Sequence, residues 1–167
     1  MLFEPVFAAL AARDVRYVVA GGVAVVLHGH PRLTADLDLV VDLAPDQARA
    51  AVEALTALGL RPRLPVDPFG FADPQTRKRW VRERQLVAFT LHDPDNPLLG
   101  VDLFADPPAT FEDLWRRAVR MRIGDLDVPV VSLDDLVAMK RVSGRPKDLD
   151  DVDALQRIRD MTGHDDA

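Results

Sequence analysis

Two aspartates one residue apart begin the segment DLDLVVDL, which starts at position 36. Asp36 and Asp38 alternate with Leu37 and Leu39, a period of two that predicts a strand with leucines on one face and carboxylates on the other. Two strand steps separate the carboxylates by roughly 6.6 Å. At that spacing they repel each other and raise each other's pKa unless a divalent ion supplies the opposite charge. The pattern therefore predicts a shared cation site.

A glycine pair precedes this strand. Gly21 and Gly22 stand between a β-branched segment and an apolar helix predicted near 23–29. A tight turn is the ordinary use of such a pair. Backbone N–H groups at a helix start also bind anions, and glycine lets a phosphate approach without a side chain in the way. The two common glycine-rich phosphate motifs are absent, so the pair indicates a phosphate site of another kind.

A third carboxylate, Asp102, interrupts the apolar segment 99–104. Its apolar neighbours predict a core strand with one polar side chain, and a strand-end carboxylate without a chemical role is the alternative. Arg32 and Thr34 precede the Asp36 strand in a turn from which they could reach phosphate. Stabilising the turn is the commoner role of threonine at such a position.

The remaining hydrophobic periodicity predicts helices and strands in alternation. We expect helices near 5–13, 45–58, 75–84 and 111–118, and strands near 16–20, 60–64, 86–92 and 99–104. Gly124 and Asp125 predict a hairpin, Ser132 the N-cap of a further helix, and Asp148 the cap of the last one. These elements indicate an α/β fold with a mixed sheet and flanking helices. We expect one domain over 1–167, with a core at about 15–106 and a helical C-terminal part at about 110–163.

Composition restricts the class of protein. A hydrophobic content of 48% over 167 residues suits one domain with a real core, and the longest apolar segment is too short to span a bilayer. The absence of cysteine excludes disulfides, thiolate zinc sites and cysteine nucleophiles, and it fits a reducing compartment. We therefore expect a cytoplasmic protein without a membrane partner.

The net charge of −6 gives the whole molecule no electrostatic attraction to nucleic acid, but two local segments are basic. One surrounds Trp80 and the other follows residue 115. A solvated helix face or a charged strand edge explains such clusters as well as phosphate contact does. Their basic residues are Arg77, Lys78, Arg79, Arg82, Arg84, Arg116, Arg117, Arg120 and Arg122.

The order of these motifs resembles the nucleotidyltransferases of the DNA polymerase β superfamily, whose shared pattern is a glycine pair, an Asp-x-Asp strand and a later strand carboxylate. The segment 32–39, Lys140 and the segment 147–151 are similar to the small bacterial AbiEii-type and MenT-type branch, many members of which are toxins of toxin–antitoxin pairs. The resemblance extends over 17–42, 101–104 and 132–155. One departure is Val23, which follows the glycines where many members carry serine.

The resemblance implies magnesium-dependent transfer of a nucleoside monophosphate from an NTP to an acceptor hydroxyl. It assigns two Mg²⁺ ions, with Mn²⁺ as a substitute, to Asp36, Asp38 and Asp102, and it gives Asp102 the acceptor proton. A tRNA end as acceptor and an antitoxin protein as partner are compatible with the resemblance, and the basic cluster from Arg77 to Arg84 around Trp80 favours an RNA acceptor. The residues that the resemblance assigns to nucleotide or phosphate binding are Gly21, Gly22, Arg32, Thr34, Lys140 and Asp148.

Other functions stay open at this point. The same transfer could modify an antibiotic or a protein side chain instead of RNA. A metal-dependent nuclease could use the three aspartates, but it has no need for a triphosphate site. A catalytically idle, antitoxin-like binding module could retain the fold, although both carboxylates of the Asp-x-Asp pair are present.

Overall fold

The structure is a computed structural model, and it describes residues 1–163. Its strands are β1 (Tyr17–Ala20), β2 (Asp36–Val41), β3 (Arg61–Pro62), β4 (Ala88–His92), β5 (Gly100–Phe104), β6 (Val119–Ile123) and β7 (Leu126–Val130). Its α-helices are α1 (Glu4–Ala11), α2 (Gly21–Leu27), α3 (Pro45–Ala57), α4 (Pro74–Arg84), α5 (Phe111–Arg117), α6 (Leu133–Ser143) and α7 (Pro146–Thr162). A 3₁₀ helix spans Pro68–Ala72.

All seven strands form one mixed sheet in the order β3-β4-β5-β2-β1-β7-β6. The pairs β2–β5 and β1–β7 are parallel, and the other neighbours are antiparallel. The predicted α/β fold with a mixed sheet is confirmed. Strands β2 and β5, which carry the aspartates, are separated by 58 residues in the sequence. They are nevertheless direct neighbours in the sheet, where they pair in parallel.

The register divides the side chains between two faces, since residues directly opposite each other in neighbouring strands point to the same side. Asp38 pairs with Asp102, which pairs with Thr90, and this row defines the carboxylate face. The adjacent row of Leu39, Leu103 and Phe89 points to the opposite face. That face is buried, because all three side chains are at most 1% exposed.

Aromatic contacts show which helices cover the buried face. Phe7 of α1 stacks on Tyr17, and Tyr17 shares its face with Val19 and the Leu39 row. Trp80 of α4 stacks on Phe89 with ring centroids 5.4 Å apart, and Phe71 of the 3₁₀ helix stacks on the same ring. Helices α1 and α4 therefore lie on the side of the sheet opposite to the carboxylates.

Several local predictions are confirmed and others are wrong. The hairpin forms at Gly124, with φ +58°, and Ser132 is the N-cap of α6, accepting the Asp135 backbone N–H at 3.1 Å. Helix α2 begins at Gly21 instead of Val23, and the strand predicted near 60–64 is reduced to Arg61–Pro62, because prolines cannot supply ladder N–H groups.

Asp148 does not cap the last helix. Helix α7 begins at Pro146 with Arg145 at its N-cap position, so Asp148 lies within the first turn. Its side chain is fully buried and binds neighbouring side chains instead of the helix backbone. Among residues 1–163, no helix is both long and apolar enough to cross a membrane.

Candidate active site

The three carboxylates meet because β2 and β5 run parallel and in register. Asp38 lies directly opposite Asp102, and Asp36 lies opposite Gly100, so all three acids share one face of two adjacent strands. Thr90 of β4 donates its hydroxyl to Asp102 Oδ1 at 2.6 Å. Thr90 thus orients the Asp102 carboxylate from the neighbouring strand, and the sequence around Asp102 does not predict this contact.

Two glycines make room for the carboxylates. A Cβ at Gly21 would overlap the Asp38 carboxylate, and a Cβ at Gly100 would overlap Asp36 Oδ1. Gly21 also has φ +61°, in the left-handed region that only glycine adopts readily. A Cβ at Gly22 would meet Arg32 Nη2 at 2.9 Å. The glycine pair is therefore packed against the Asp-x-Asp strand and the turn before it.

Burial raises the pKa of Asp38 to about 6, and the charges of Asp102 and Asp36 add to the effect. Lys140 and the backbone N–H of Gly22 act in the opposite direction. Burial also raises the pKa of Asp102, while the Thr90 hydroxyl and the Arg63 charge lower it. Ionising the cluster is costly without a cation, which is the electrostatic condition of a metal site.

The donor set suits a hard divalent cation such as Mg²⁺. Every side-chain donor of the cluster is a carboxylate or hydroxyl oxygen, the ligand type that Mg²⁺ requires. Within residues 1–163, no three His, Cys, Asp or Glu side chains are close enough together to form a complete protein cage. Mg²⁺ usually binds through one or two carboxylates, waters and substrate phosphates. The carboxylates alone therefore do not make a complete metal site, and further ligands would have to come from water or from a bound molecule.

A buried charge network borders the site. Lys140 of α6 is 6% exposed, and its Nζ lies 3.0 Å from Asp148 Oδ1 and 2.9 Å from Asp151 Oδ2. Arg32, from the turn before β2, lies 3.0 Å from Asp151. The network ties the two C-terminal helices to the residues that pack on the glycine pair, and it brings Lys140 near enough to Asp38 to lower its pKa.

Arg145 extends this network to the surface. Its Nε donates to Asp148 Oδ2 at 2.7 Å, while 63% of its side chain stays exposed. The Asp148 hydrogen bond raises the pKa of Arg145, and Asp38 contributes to the same shift across space. Burial opposes ionisation of Asp148, but hydrogen bonds from Arg145, Ser143 and Lys140 hold its pKa well below the usual range.

The structure separates the predicted site residues into three sets. Asp36, Asp38 and Asp102 form the carboxylate cluster, and the glycine pair with Arg32, Thr34 and Lys140 lies beside it. Thr34 Oγ1 lies 3.4 Å from the Asp36 carbonyl oxygen, which fits a turn-stabilising role. Asp148 is separated from solvent, and its carboxylate accepts hydrogen bonds from Lys140, Ser143 and Arg145 instead of facing the cluster.

Sequence reasoning missed Thr90, Gly100 and Arg145. Each belongs to the site only through the sheet register or through the packing of α7, which no local pattern encodes. Trp80, which the first basic segment surrounds, lies away from the carboxylates. Trp80 is 6% exposed, stacked on Phe89 on the opposite face, so it offers no platform for a nucleic-acid base.

The fold and this cluster define a class of protein. Residues 4–161 match the family described as "Nucleotidyltransferase of unknown function (DUF6036)", and the chain belongs to that nucleotidyltransferase family. The prediction of a nucleotidyltransferase enzyme is thereby confirmed. No curated protein is significantly similar to the chain in sequence.

Solved structures share the fold at low sequence identity. The lincosamide antibiotic adenylyltransferase LnuA, lincomycin-bound, aligns with a TM-score of 0.62 at 16% identity over 94% of this chain and 96% of its own. ANT(2″)-Ia in complex with adenylyl-2″-tobramycin gives 0.58 at 14% identity over 99% and 97%. A putative nucleotidyltransferase from Thermotoga maritima gives 0.58 at 13% identity over 98% and 91%.

Proposed function

We propose that the protein transfers a nucleoside monophosphate from a magnesium-bound NTP to an acceptor hydroxyl. The observation that carries this proposal is the adjacency of Asp36, Asp38 and Asp102 on one sheet face, beside the glycine pair. Mg²⁺, or Mn²⁺ in its place, would stabilise the charge that develops on the attacking and leaving oxygens. Asp36 and Asp38, with Asp102, would hold two such ions.

Asp102 is the proposed acceptor of the proton. Its pKa is raised by burial, which favours uptake of a proton from the hydroxyl that attacks. The hydroxyl oxygen forms a bond to the α-phosphorus, the bond from that phosphorus to the bridging oxygen breaks, and pyrophosphate leaves with the electron pair. Thr90, which donates to one Asp102 oxygen at 2.6 Å, would keep the other oxygen directed at the acceptor.

The triphosphate would bind between the glycine pair and the C-terminal helices. Gly21 and Gly22 present backbone without side chains, and Arg32, Thr34 and Lys140 border them. Arg32, Lys140 and Arg145 carry three positive charges, of which Asp148 and Asp151 neutralise two. Asp148 would act by holding Lys140 and Arg145 toward the phosphates, since its own oxygens are buried.

The helical C-terminal part would thus belong to the same functional unit as the core. We propose a single domain for this reason, because the charges of Lys140 on α6 and Arg145 in the α6–α7 turn interact with Asp38 of the core. The resemblance to the AbiEii and MenT branch supports a toxin role in the cytoplasm, with a tRNA end as acceptor and an antitoxin as partner. Modification of an antibiotic is the second candidate, supported by the likeness to LnuA and ANT(2″)-Ia.

Transfer of label tests the proposal directly. The protein and its Asp38→Ala variant are each incubated with α-labelled ATP, GTP, CTP or UTP, Mg²⁺, and in turn total tRNA, protein extract, aminoglycosides and lincosamides. We expect label on one acceptor class with the wild type alone, because Asp38 holds the metal against the phosphates. Nucleolytic cleavage of RNA without transfer, or tight partner binding without Mg-NTP binding, would replace this function by a nuclease or an idle module.

A further inference from the structure

The part of the carboxylate face formed by β4 and β5 is only partly buried. On β4 and β5 the side chains alternate strictly: Phe89, Leu91, Val101 and Leu103 are buried on one face, while Thr90, His92 and Asp102 on the other face are only partly buried. Helices α2 and α6 contact each other, and α2 contacts β1 and β2 on the far side of Asp38 from β5. The strands β3, β4 and β5 therefore present an accessible surface that begins at Asp102.

Two arginines line this surface. Arg61 pairs with His92 across β3 and β4, which puts its side chain on the carboxylate face. Arg63 follows two residues later and donates its backbone N–H to the Thr90 carbonyl oxygen at 3.0 Å. Its charge lies near enough to Asp102 to lower the pKa of that carboxyl. Both arginines are exposed, so their guanidinium groups are accessible to a bound molecule.

His92 provides a second indication of a ligand. It lies in the row of Asp36 and Gly100, and the missing side chain of Gly100 leaves Asp36 and His92 as neighbours along that row. Among residues 1–163, His92 Nδ1 is buried without a hydrogen-bond partner. Buried polar atoms in native proteins nearly always have a partner. A group that binds at this end of the face could supply one.

We propose that β3, β4 and β5 form the acceptor subsite, and that Arg61 and Arg63 select an acceptor that carries phosphate. This inference rests on the proposed function, because it names the substrate class of the same site. The nucleotide is expected on the side of Asp38 where the glycine pair, Arg32 and Lys140 lie. The acceptor hydroxyl must then approach Asp102 from the other side, where Arg61 and Arg63 lie.

The charge of this subsite separates acceptor classes. Guanidinium groups bind phosphate strongly and repel ammonium groups, so an RNA end or a nucleotide is favoured over a polycationic aminoglycoside. Two acidic residues, Asp93 and Asp95, follow His92 in the chain, but they belong to the β4–β5 turn and not to the strands of the subsite. In that turn Asp93 accepts the Asp95 backbone N–H at 2.9 Å. The basic residues of α4 cannot serve the same purpose, because α4 packs on the opposite face.

The transfer itself needs no further reagent. The acceptor hydroxyl forms the new phosphorus–oxygen bond, pyrophosphate departs with the electrons of the broken bond, and the hydroxyl proton goes to Asp102. Arg61 and Arg63 take no part in these bond changes. They hold a phosphate of the acceptor, so their removal is expected to weaken acceptor binding and to leave Mg-ATP binding intact.

The test compares two double variants that remove the same charge from opposite faces. Arg61→Ala with Arg63→Ala changes the proposed subsite, and Arg79→Ala with Arg82→Ala on α4 is the matched control, since all four arginines are exposed. The probe is a fluorescein-labelled oligoribonucleotide with a free 3′ hydroxyl, and unlabelled AMP and inorganic phosphate are the competitors. Mg-ATP affinity is measured separately by calorimetry for the wild type, both double variants and Asp38→Ala.

We expect the subsite variant to bind the RNA about 10- to 30-fold more weakly than the wild type at 0.1 M salt. Its slope of log K against log salt should be shallower by about 1.4, because each of two lost single-strand phosphate contacts contributes about 0.7. The α4 control should retain wild-type RNA affinity, and both double variants should bind Mg-ATP within twofold of wild type. Competition by AMP at concentrations similar to those of RNA nucleotides identifies a nucleotide acceptor, and weak competition identifies an RNA acceptor.

Three outcomes would overturn the inference. The first is RNA affinity that falls in the α4 control and not in the subsite variant. The second is a wild type that binds Mg-ATP but neither RNA nor AMP. The third is label transfer to an aminoglycoside at the same rate by the wild type and the subsite variant. Failure of the wild type to bind Mg-ATP at all is distinguishable from these, because it would remove the proposed function together with this subsite.

Discussion

Asp36 and Asp38 each pack against a glycine on a neighbouring segment, Gly100 and Gly21 respectively. Gly100 is the first residue of β5 and needs no unusual backbone angle, so its small size is required by the close approach of Asp36 Oδ1. A strand interior ordinarily gains stability when glycine is replaced by alanine. Gly100 therefore lowers the stability of the sheet but leaves the space that the Asp36 carboxylate occupies.

Replacing Gly100 by alanine should displace Asp36 and lower nucleotidyl transfer by about 100-fold, the cost typical of a misplacement near 1 Å. The measurement is initial transfer rate at saturating NTP, with folding checked by circular dichroism. The effect should depend on Asp36. In an Asp36→Ala background, Gly100→Ala should be neutral or stabilising in urea unfolding, because the clash is absent. Equal destabilisation in both backgrounds would show that Gly100 acts through something other than Asp36.

The raised pKa of Asp38 makes the stability of the metal-free protein depend on pH. The pKa rises from 3.8 to about 6 on folding, so the folded state holds a proton between these pH values that the unfolded state has released. The stabilisation that comes from the extra proton on folded Asp38 is fully present below about pH 4 and is lost as the pH rises through about 6. It amounts to at most about 3 kcal/mol. Asp38→Asn cannot titrate and should not show this loss.

In EDTA, Asp38→Asn should therefore be more stable than the wild type by about 1–3 kcal/mol at pH 7.5, and the difference should vanish near pH 4. Urea unfolding followed by fluorescence at both pH values measures it. Added Mg²⁺ should stabilise the wild type more than the Asp38→Asn variant, which lacks one of the proposed ligands. Parallel pH profiles of the two proteins would mean that Asp38 ionises at its ordinary pKa in the folded state.

At the scale of elements, α6 and α7 are joined to the sheet by charge as well as by apolar packing. Lys140 bridges Asp148 and Asp151 on α7, and Asp151 reaches Arg32 before β2. Leu136 of α6 and Leu155 of α7 are at most 1% exposed and belong to the main core. The helices thus complete the core, and their charged side chains connect them to Arg32 before β2.

Lys140→Met should destabilise the protein by about 3 kcal/mol at neutral pH, because two buried carboxylates lose their shared cation. Hydrogen bonds hold the pKa of Asp148 below its usual range, so the stability it provides is present above the unfolded pKa and is lost as the pH falls. The cost of Lys140→Met should accordingly shrink below about pH 4. Lys147→Met, on the same helix but exposed, is the control and should stay within about 0.5 kcal/mol of wild type.

At the scale of the whole molecule, one continuous core extends from Phe89 of β4 to Ile123 of β6, and it includes Trp80 of α4 and Leu155 of α7. The two tryptophans report on different regions, since Trp80 stacks on Phe89 and Trp115 stacks on Phe111 of α5. If the chain is a single domain, both regions unfold together.

Trp80→Phe and Trp115→Phe each leave one fluorescent reporter. Fluorescence and circular dichroism transitions in urea should coincide within each variant and give the same slope with denaturant, because one cooperative unit exposes all of its surface at once. A transition at lower urea for the Trp115 reporter, with circular dichroism following in two steps, would indicate that the C-terminal part unfolds on its own.

The sequence by itself determined those features that depend on local chemistry. Alternation at Asp36 and Asp38 predicted one strand face with two carboxylates, and the hairpin at Gly124 and the cap at Ser132 were predicted from turn and capping chemistry. These features need only the residues that form them, so a period or a cap encodes them directly. The order of the motifs also indicated the nucleotidyltransferase class, which the family match confirmed.

Only the tertiary structure decided which distant residues meet. Thr90 and Gly100 acquire their positions from the pairing of β4, β5 and β2, and the buried Lys140–Asp148 pair replaced the expected helix cap by an ion pair. The basic residues around Trp80 do not reveal which face of the sheet their helix covers. The stacking of Trp80 on Phe89 shows that this helix lies on the face opposite to the carboxylates. Sheet register and helix packing arise from the summed burial of many side chains, and this sum is not readable from any single segment.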